Sequence, residues 1–99
     1  MTGLRHVVTF GFRDGTTEEQ IAAVTRGLET LPGQIPEIAG YRVGPDAGLN
    51  DGNQHYAVVA DFGSVDDYLV YRDHPAHLAV IAEHIRPIAE SRAAVQYVI

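Results

Sequence analysis

Residues Tyr71-Arg72-Asp73-His74-Pro75-Ala76-His77 place a phenol and two imidazoles around one helix start, beside an apolar stretch. No other segment of the chain gathers as much chemistry. Pro75 is pre-set for a first helical turn and has no N–H to leave unpaired there, which predicts a helix beginning at Asp73 or His74. His74 and His77 then stand three apart, on one helix face. The positive end of the helix dipole disfavours the imidazolium, so a ring held there stays available as a base or acceptor near neutral pH. A second role suits the same spacing: the two rings cap and pack the helix without doing chemistry.

The remaining composition narrows what such a cluster can do. The chain has 99 residues, which fits one domain over 1–99 with a small core, and pairing with a second copy would add to its stability. Its formal net charge is −6, and its seven basic residues are all Arg, scattered singly. No basic stripe exists to neutralise phosphates, so nucleic acid and anionic membrane surfaces are not expected partners. The absence of Lys removes Schiff-base chemistry, and the absence of Cys removes thiol nucleophiles, disulfides and thiolate metal sites. Neither end carries an export segment and no apolar run approaches a membrane span, which makes a cytoplasmic protein the expectation.

Elements that position the cluster follow from periodicity. Leu4 to Phe12 alternates, with Leu4, His6, Val8, Phe10 and Phe12 on one face, and reads as a strand. Asp14-Gly15 ends it. Thr16 with Glu19, or Thr17 with Gln20, offers a capping box for a helix carrying Ile21, Val24, Leu28 and Leu31, which Pro32-Gly33 stops. A short strand over Gly40–Val43, a turn-rich loop over Gly44–Asn53 and a more apolar strand over His55–Phe62 come next. Ser64 with Asp66 and Asp67 starts a helix running toward Tyr71, and Leu78, Ile81 and Ile85 continue at helical spacing until Pro87. Ala93–Ile99 reads as a last strand. The order is the split βαβ pattern, an α+β ferredoxin-like βαββαβ sandwich with an antiparallel sheet. Both faces of the first and third strands carry apolar or small residues, so the second face is expected to meet a partner sheet.

Over nearly its whole length the chain resembles the Dabb family, the stress-responsive dimeric α/β barrels. The resemblance rests on His6-Val7-Val8-Thr9-Phe10-Gly11-Phe12-Arg13-Asp14, on Leu31-Pro32-Gly33-Gln34-Ile35-Pro36, on Tyr56 to Phe62, and above all on Tyr71-x-x-His74-Pro75-Ala76-His77. It implies a homodimer in which two ferredoxin-like sheets pack face to face, each subunit keeping a pocket between sheet and helices. Catalytic relatives include plant polyketide cyclases that close a linear polyketide by aldol-type condensation with a Tyr and a His. Those positions fall on Tyr71 and His77, with His6 and His74 as companions. Val24 and Leu28 stand where the cyclases carry aromatic residues, which argues against a plant-type substrate.

An aldol closure needs a base for a proton next to a carbonyl and a donor for the enolate oxygen. His77 fits the first role and Tyr71 the second, with His6 and His74 orienting a ligand and Val8, Phe10, Val24, Leu28, Val58, Val80 and Ile81 forming apolar walls. No cofactor is required. His6, sharing a face with Val8 and Phe10, is equally at home as a hydrogen-bonded core residue, and Tyr71 as a packed aromatic. The spacing of His6, His74 and His77 matches no metal-ligand signature, so no metal is expected. The alternative from another class is a non-catalytic dimer that binds a small apolar or carbonyl-containing ligand or acts under stress. Glu18, Glu19, Asp66 and Asp67 are accounted for by helix starts, and Asp46, Asn50, Asp51 and Asn53 by loop chemistry.

Overall fold

The computed structural model of the chain describes residues 3–99. The first strand, β1 (Leu4–Phe12), buries Leu4, His6, Val8, Phe10 and Phe12 and leaves Arg5, Val7 and Thr9 on its other face. Helix α1 (Glu18–Glu29) opens at Thr17, whose hydroxyl accepts from the Gln20 N–H at 3.1 Å while the Gln20 side chain accepts from the Thr17 N–H at 2.9 Å. Of the two boxes the sequence offers, this one closes. A cap of this kind contributes about 1 kcal/mol. A 3-10 turn over Leu31–Gly33 then leads into β2 (Ile38–Pro45) and β3 (Tyr56–Phe62).

Helix α2 (Val65–Asp73) is capped by the Ser64 hydroxyl, which accepts from the Asp67 N–H at 3.1 Å. One residue later α3 (Pro75–Val80) begins, with His74 between the two helices in an extended conformation. A wide π-helical turn over Ile81–Ile85 follows, closed by a bond from Arg86 N–H to the Ile81 carbonyl at 2.8 Å, and β4 (Ala89–Val98) completes the sheet. The strand order is β2-β3-β1-β4, antiparallel throughout, which is the ferredoxin-like arrangement. Inward side chains of the sheet, with Val24 and Leu28 of α1, Tyr71 of α2, Val80 of α3 and Ile85, form one core cluster.

Several boundaries differ from the sequence expectation for identifiable reasons. β2 runs from Ile38 to Pro45 rather than Gly40–Val43, because its pairing with β3 continues past the apolar stretch on both sides. His55 stays outside β3; its ring Nδ1 instead accepts from the Phe12 N–H at 2.7 Å. β4 begins at Ala89, four residues before Ala93, since pairing with the central β1 extends it where its own polar sequence gives no sign. The α-helical spacing expected through Ile85 ends at Val80. Pro87 carries no N–H and its ring crowds the carbonyl four residues before it, which breaks the regular ladder.

Gly27 lies where α1 meets the π-turn. A Cβ built there would stand 3.1 Å from His84 Cδ2 and 3.2 Å from Val80 Cγ1, tighter than ordinary contact. Gly27→Val should therefore destabilise the protein by about 1–3 kcal/mol through overpacking and a poorer helix former, read as a lower urea midpoint. An unchanged midpoint would mean that the two segments part without cost.

Candidate active site

A cavity of about 270 Å³ lies between the inward face of the sheet and the α2–α3 segment. Its size sits near the lower end of ligand pockets, which run about 300–1,000 Å³. His6, Val8 and Phe10 of β1 and Val58 of β3 line it from the sheet, and Leu28 lines it from α1. Tyr71, His77 and Ile81 face them from the helical side. Three residues singled out from the sequence lie elsewhere. Val24 and Val80 belong to the buried core without lining the cavity. His74 caps α3, its Nδ1 accepting from the Ala76 N–H at 3.0 Å, so it does not share a helix face with His77.

Tyr71 is the centre of the arrangement. Its ring is stacked on His77 with centroids 4.1 Å apart, and it is almost fully buried. Its hydroxyl lies 2.9 Å from that of Tyr41 on β2. Burial pushes the Tyr71 phenol up to about 12, and the bond from Tyr41 works in the opposite direction. Tyr41 is pushed up further by burial and by its neighbour, so both remain protonated at neutral pH. Either hydroxyl can be the donor in this pair, and when Tyr41 donates, the Tyr71 hydrogen is free for another acceptor.

His77 places Nδ1 3.1 Å from the Arg72 carbonyl. A carbonyl only accepts, so Nδ1 carries the hydrogen and the neutral ring has its lone pair on Nε2. Burial lowers the His77 pKa, with the Arg72 and Tyr71 carbonyls acting against it and His74 and Arg92 adding to it. His6 is 4% exposed, the only buried polar or charged residue among those described. The Gln96 amide donates to its Nδ1 at 2.8 Å, and its ring lies 5.1 Å from that of Tyr68. Burial first, then Arg92 and His77, bring its pKa down to about 4.

Four polar or aromatic residues that the sequence had not singled out for the pocket also line it: Tyr68, Arg72, Asp73 and Arg92. Arg72 and Asp73 occupy each other through two bonds of 2.9 and 3.0 Å. Tyr68 is three residues before Tyr71, a helical spacing that places it on the same face and was available in the sequence. Arg92 and Tyr41 were legible only through strand register, because alternation gives their face once the strand limits are known. Among the described residues no group of three His, Asp or Glu side chains is arranged to hold a metal ion.

The profile described as Stress responsive A/B Barrel Domain, Dabb, matches residues 4–99. The chain belongs to the Dabb family. It is similar to a dimeric ferredoxin-like protein of unknown function from Thermobifida fusca YX, with 41% identity, TM-score 0.91, and coverage of 99% of this chain and 92% of that one. A dimeric protein of unknown function and ferredoxin-like fold from Bacteroides fragilis NCTC 9343 is 29% identical, with TM-score 0.85 over 98% of this chain and 96% of its own. A hydroxynitrile lyase from Passiflora edulis shares the fold, at 24% identity and TM-score 0.83, covering 98% of the Dabb chain and 93% of that protein. No curated protein sequence matches. No helix among the described residues is long and apolar enough to cross a membrane.

The buried His6 makes the stability of this Dabb fold depend on pH. Unfolded His6 takes up a proton near 6.5 and folded His6 only near about 4, so the unfolded state binds more protons between these values. Stability is then full above pH 6.5 and falls as the pH drops toward about 4, by about 3 kcal/mol from this group. Urea titrations across that window should show the loss in the wild type and a flatter profile in His6→Gln. The same slope in both proteins would assign the dependence to other groups.

Proposed function

We propose that this protein is a homodimer in which each cavity binds a small carbonyl compound and moves a proton at the carbon beside the carbonyl, the elementary step of an aldol-type cyclisation. The observation that carries the reading is the bond from His77 Nδ1 to the Arg72 carbonyl, which leaves Nε2 of a cavity-lining ring as the basic atom. Its lowered pKa keeps that atom unprotonated at neutral pH, as a general base requires. Nε2 takes the proton, and the electron pair of the C–H bond moves to the carbonyl oxygen as an enolate. Tyr71, bonded from Tyr41, donates to that oxygen. Neutral His6 serves the ligand through the Nε2 hydrogen that its Gln96 partner leaves exposed to donation.

A second reading, binding without turnover, is favoured by one observation. The Tyr71 hydroxyl already has a partner in Tyr41 and is almost fully buried, as in a packed structural tyrosine. Deuterium exchange separates the two. Methyl ketones such as acetophenone, incubated in D₂O with the protein, should lose methyl protons faster than in buffer. His77→Ala should lower that rate by about 10²–10⁴, and Tyr71→Phe should lower it with little change in ketone affinity. The rate should also fall in acid, at a pH below the ordinary imidazole value because burial lowers the His77 pKa, as the base takes up a proton. Ketones that bind without exchanging would leave the protein a binder.

The homodimer rests on the sheet face turned away from the helices. Val7, Thr9, Ala57, Val59, Val95 and Tyr97 lie on it, and Val95 and Tyr97 are 55% and 45% exposed. Two similar structures are described as dimeric. Covering such a face removes apolar surface from water on both copies. Sedimentation at micromolar concentration should give the dimer mass, and Val95→Glu, which puts a charge on this apolar face that pairing would have to take out of water, should give the monomer. A wild-type monomer would refute the pairing.

A further inference from the structure

The charges around the cavity do not balance, and the imbalance selects a ligand. Arg72 and Asp73 neutralise one another through their paired bonds, and Tyr41 and Tyr71 stay protonated. His6 and His77 are neutral at pH 7 because burial opposes their protonation. Arg92 is what remains. It sits on β4 opposite Phe10, on the inward face, and lines the cavity. Among the described residues no carboxylate lies within ion-pair distance of it, as is also true of Arg13, Arg42 and Arg86, but of these four only Arg92 lines the cavity, and the other arginine there, Arg72, is paired with Asp73. Its charge reaches the cavity, since it acts on both His6 and His77.

We propose that Arg92 is a specificity-determining residue that pairs with a carboxylate on the ligand, so that the cavity takes a small carbonyl compound bearing an acid group in preference to its neutral counterpart. The inference deepens the carbonyl-binding reading and rests on it for the cavity's being a ligand site. A single guanidinium matches one planar carboxylate through two parallel N–H···O bonds. A phosphate dianion asks for more positive charge than one Arg provides, and the chain's formal net charge of −6 works against a dianion further. Across a cavity of this size the acid end lies at Arg92 on the strand side, and the carbonyl end at His77 and Tyr71 on the helical side. The guanidinium also explains a cost. Burial is the main cause of the lowered pKa values of His6 and His77, and Arg92 adds to it; an acid paired with Arg92 offsets that smaller part, so occupancy should raise both.

The experiment compares acids with amides of the same shape. Benzoate with benzamide, phenylacetate with phenylacetamide, and hexanoate with hexanamide are titrated into the intact protein at pH 7 and followed by ligand NMR. At least one acid should bind tenfold or more tightly than its amide. Arg92→Gln should abolish that margin, with amide affinity unchanged within about twofold, and Arg92→Lys should restore part of it. If no acid outbinds its amide, or the margin survives in Arg92→Gln, the assignment is overturned; phenylphosphonate binding more tightly than every carboxylate would overturn the choice of carboxylate. Ketone exchange in D₂O is read separately. Exchange with no acid preference removes the Arg92 inference alone, and acid preference without exchange removes the proton-transfer reading alone.

Discussion

An α-helix cannot pass through His74, because a residue before proline is pushed out of the helical region and Pro75 has no N–H to give to the preceding turn. His74 accordingly adopts φ −67° and ψ 134°, and two short helices replace one long one. This single break decides what the cavity is made of. α2 ends with the Arg72 carbonyl free of a regular helical partner, and α3 begins so that the His77 ring returns to that carbonyl. The same return lays His77 flat against Tyr71. A continuous helix would carry residues 71 and 77 to different sides, since six residues make about one and two-thirds turns.

Burial then does the electrostatic work that charged neighbours do in many sites. His6 and His77 are held neutral chiefly by loss of water, and the Tyr41–Tyr71 pair is held protonated by the same cause. Each polar atom removed from water is matched: Gln96 meets His6, Arg72 O meets His77 and Tyr41 meets Tyr71. No buried side-chain nitrogen or oxygen among the described residues is left without a partner. The cavity is thus a hydrogen-bonded niche whose one cation without a carboxylate partner is Arg92, inside a chain whose overall charge has the opposite sign.

Much of this was legible in the residues, and most of the failures share a cause. β1 was readable to the residue because its alternation is strict and its turn signal follows directly. α1 was readable from its cap, although two boxes competed and only contact geometry chose Thr17 with Gln20. Periodicity told which residues are buried but not what they are buried against: Val24 and Leu28 share one stripe of α1, yet only Leu28 reaches the cavity. β4 has almost no apolar signature at its start, so its first four residues, and with them the route to Arg92, depended on pairing with β1. His74 illustrates a different limit. Its residue type suits a cap and a ligand equally, and the direction of its ring is a local matter of the proline that follows.

The π-helical turn after α3 separates the size of the cavity from its chemistry. Ile81 and Ile85, at its two ends, line the cavity, while His6, Tyr71 and His77 come from elements that do not pass through it. A turn of this kind is an α-helix that has taken in one extra residue. Descendants of this chain that lose or gain a residue there can rotate Ile85 toward or away from the void while the imidazoles and phenol keep their places. Length variation in this one segment is therefore a heritable dial on which ligands fit, adjustable without passing through an ancestor that has lost its polar groups.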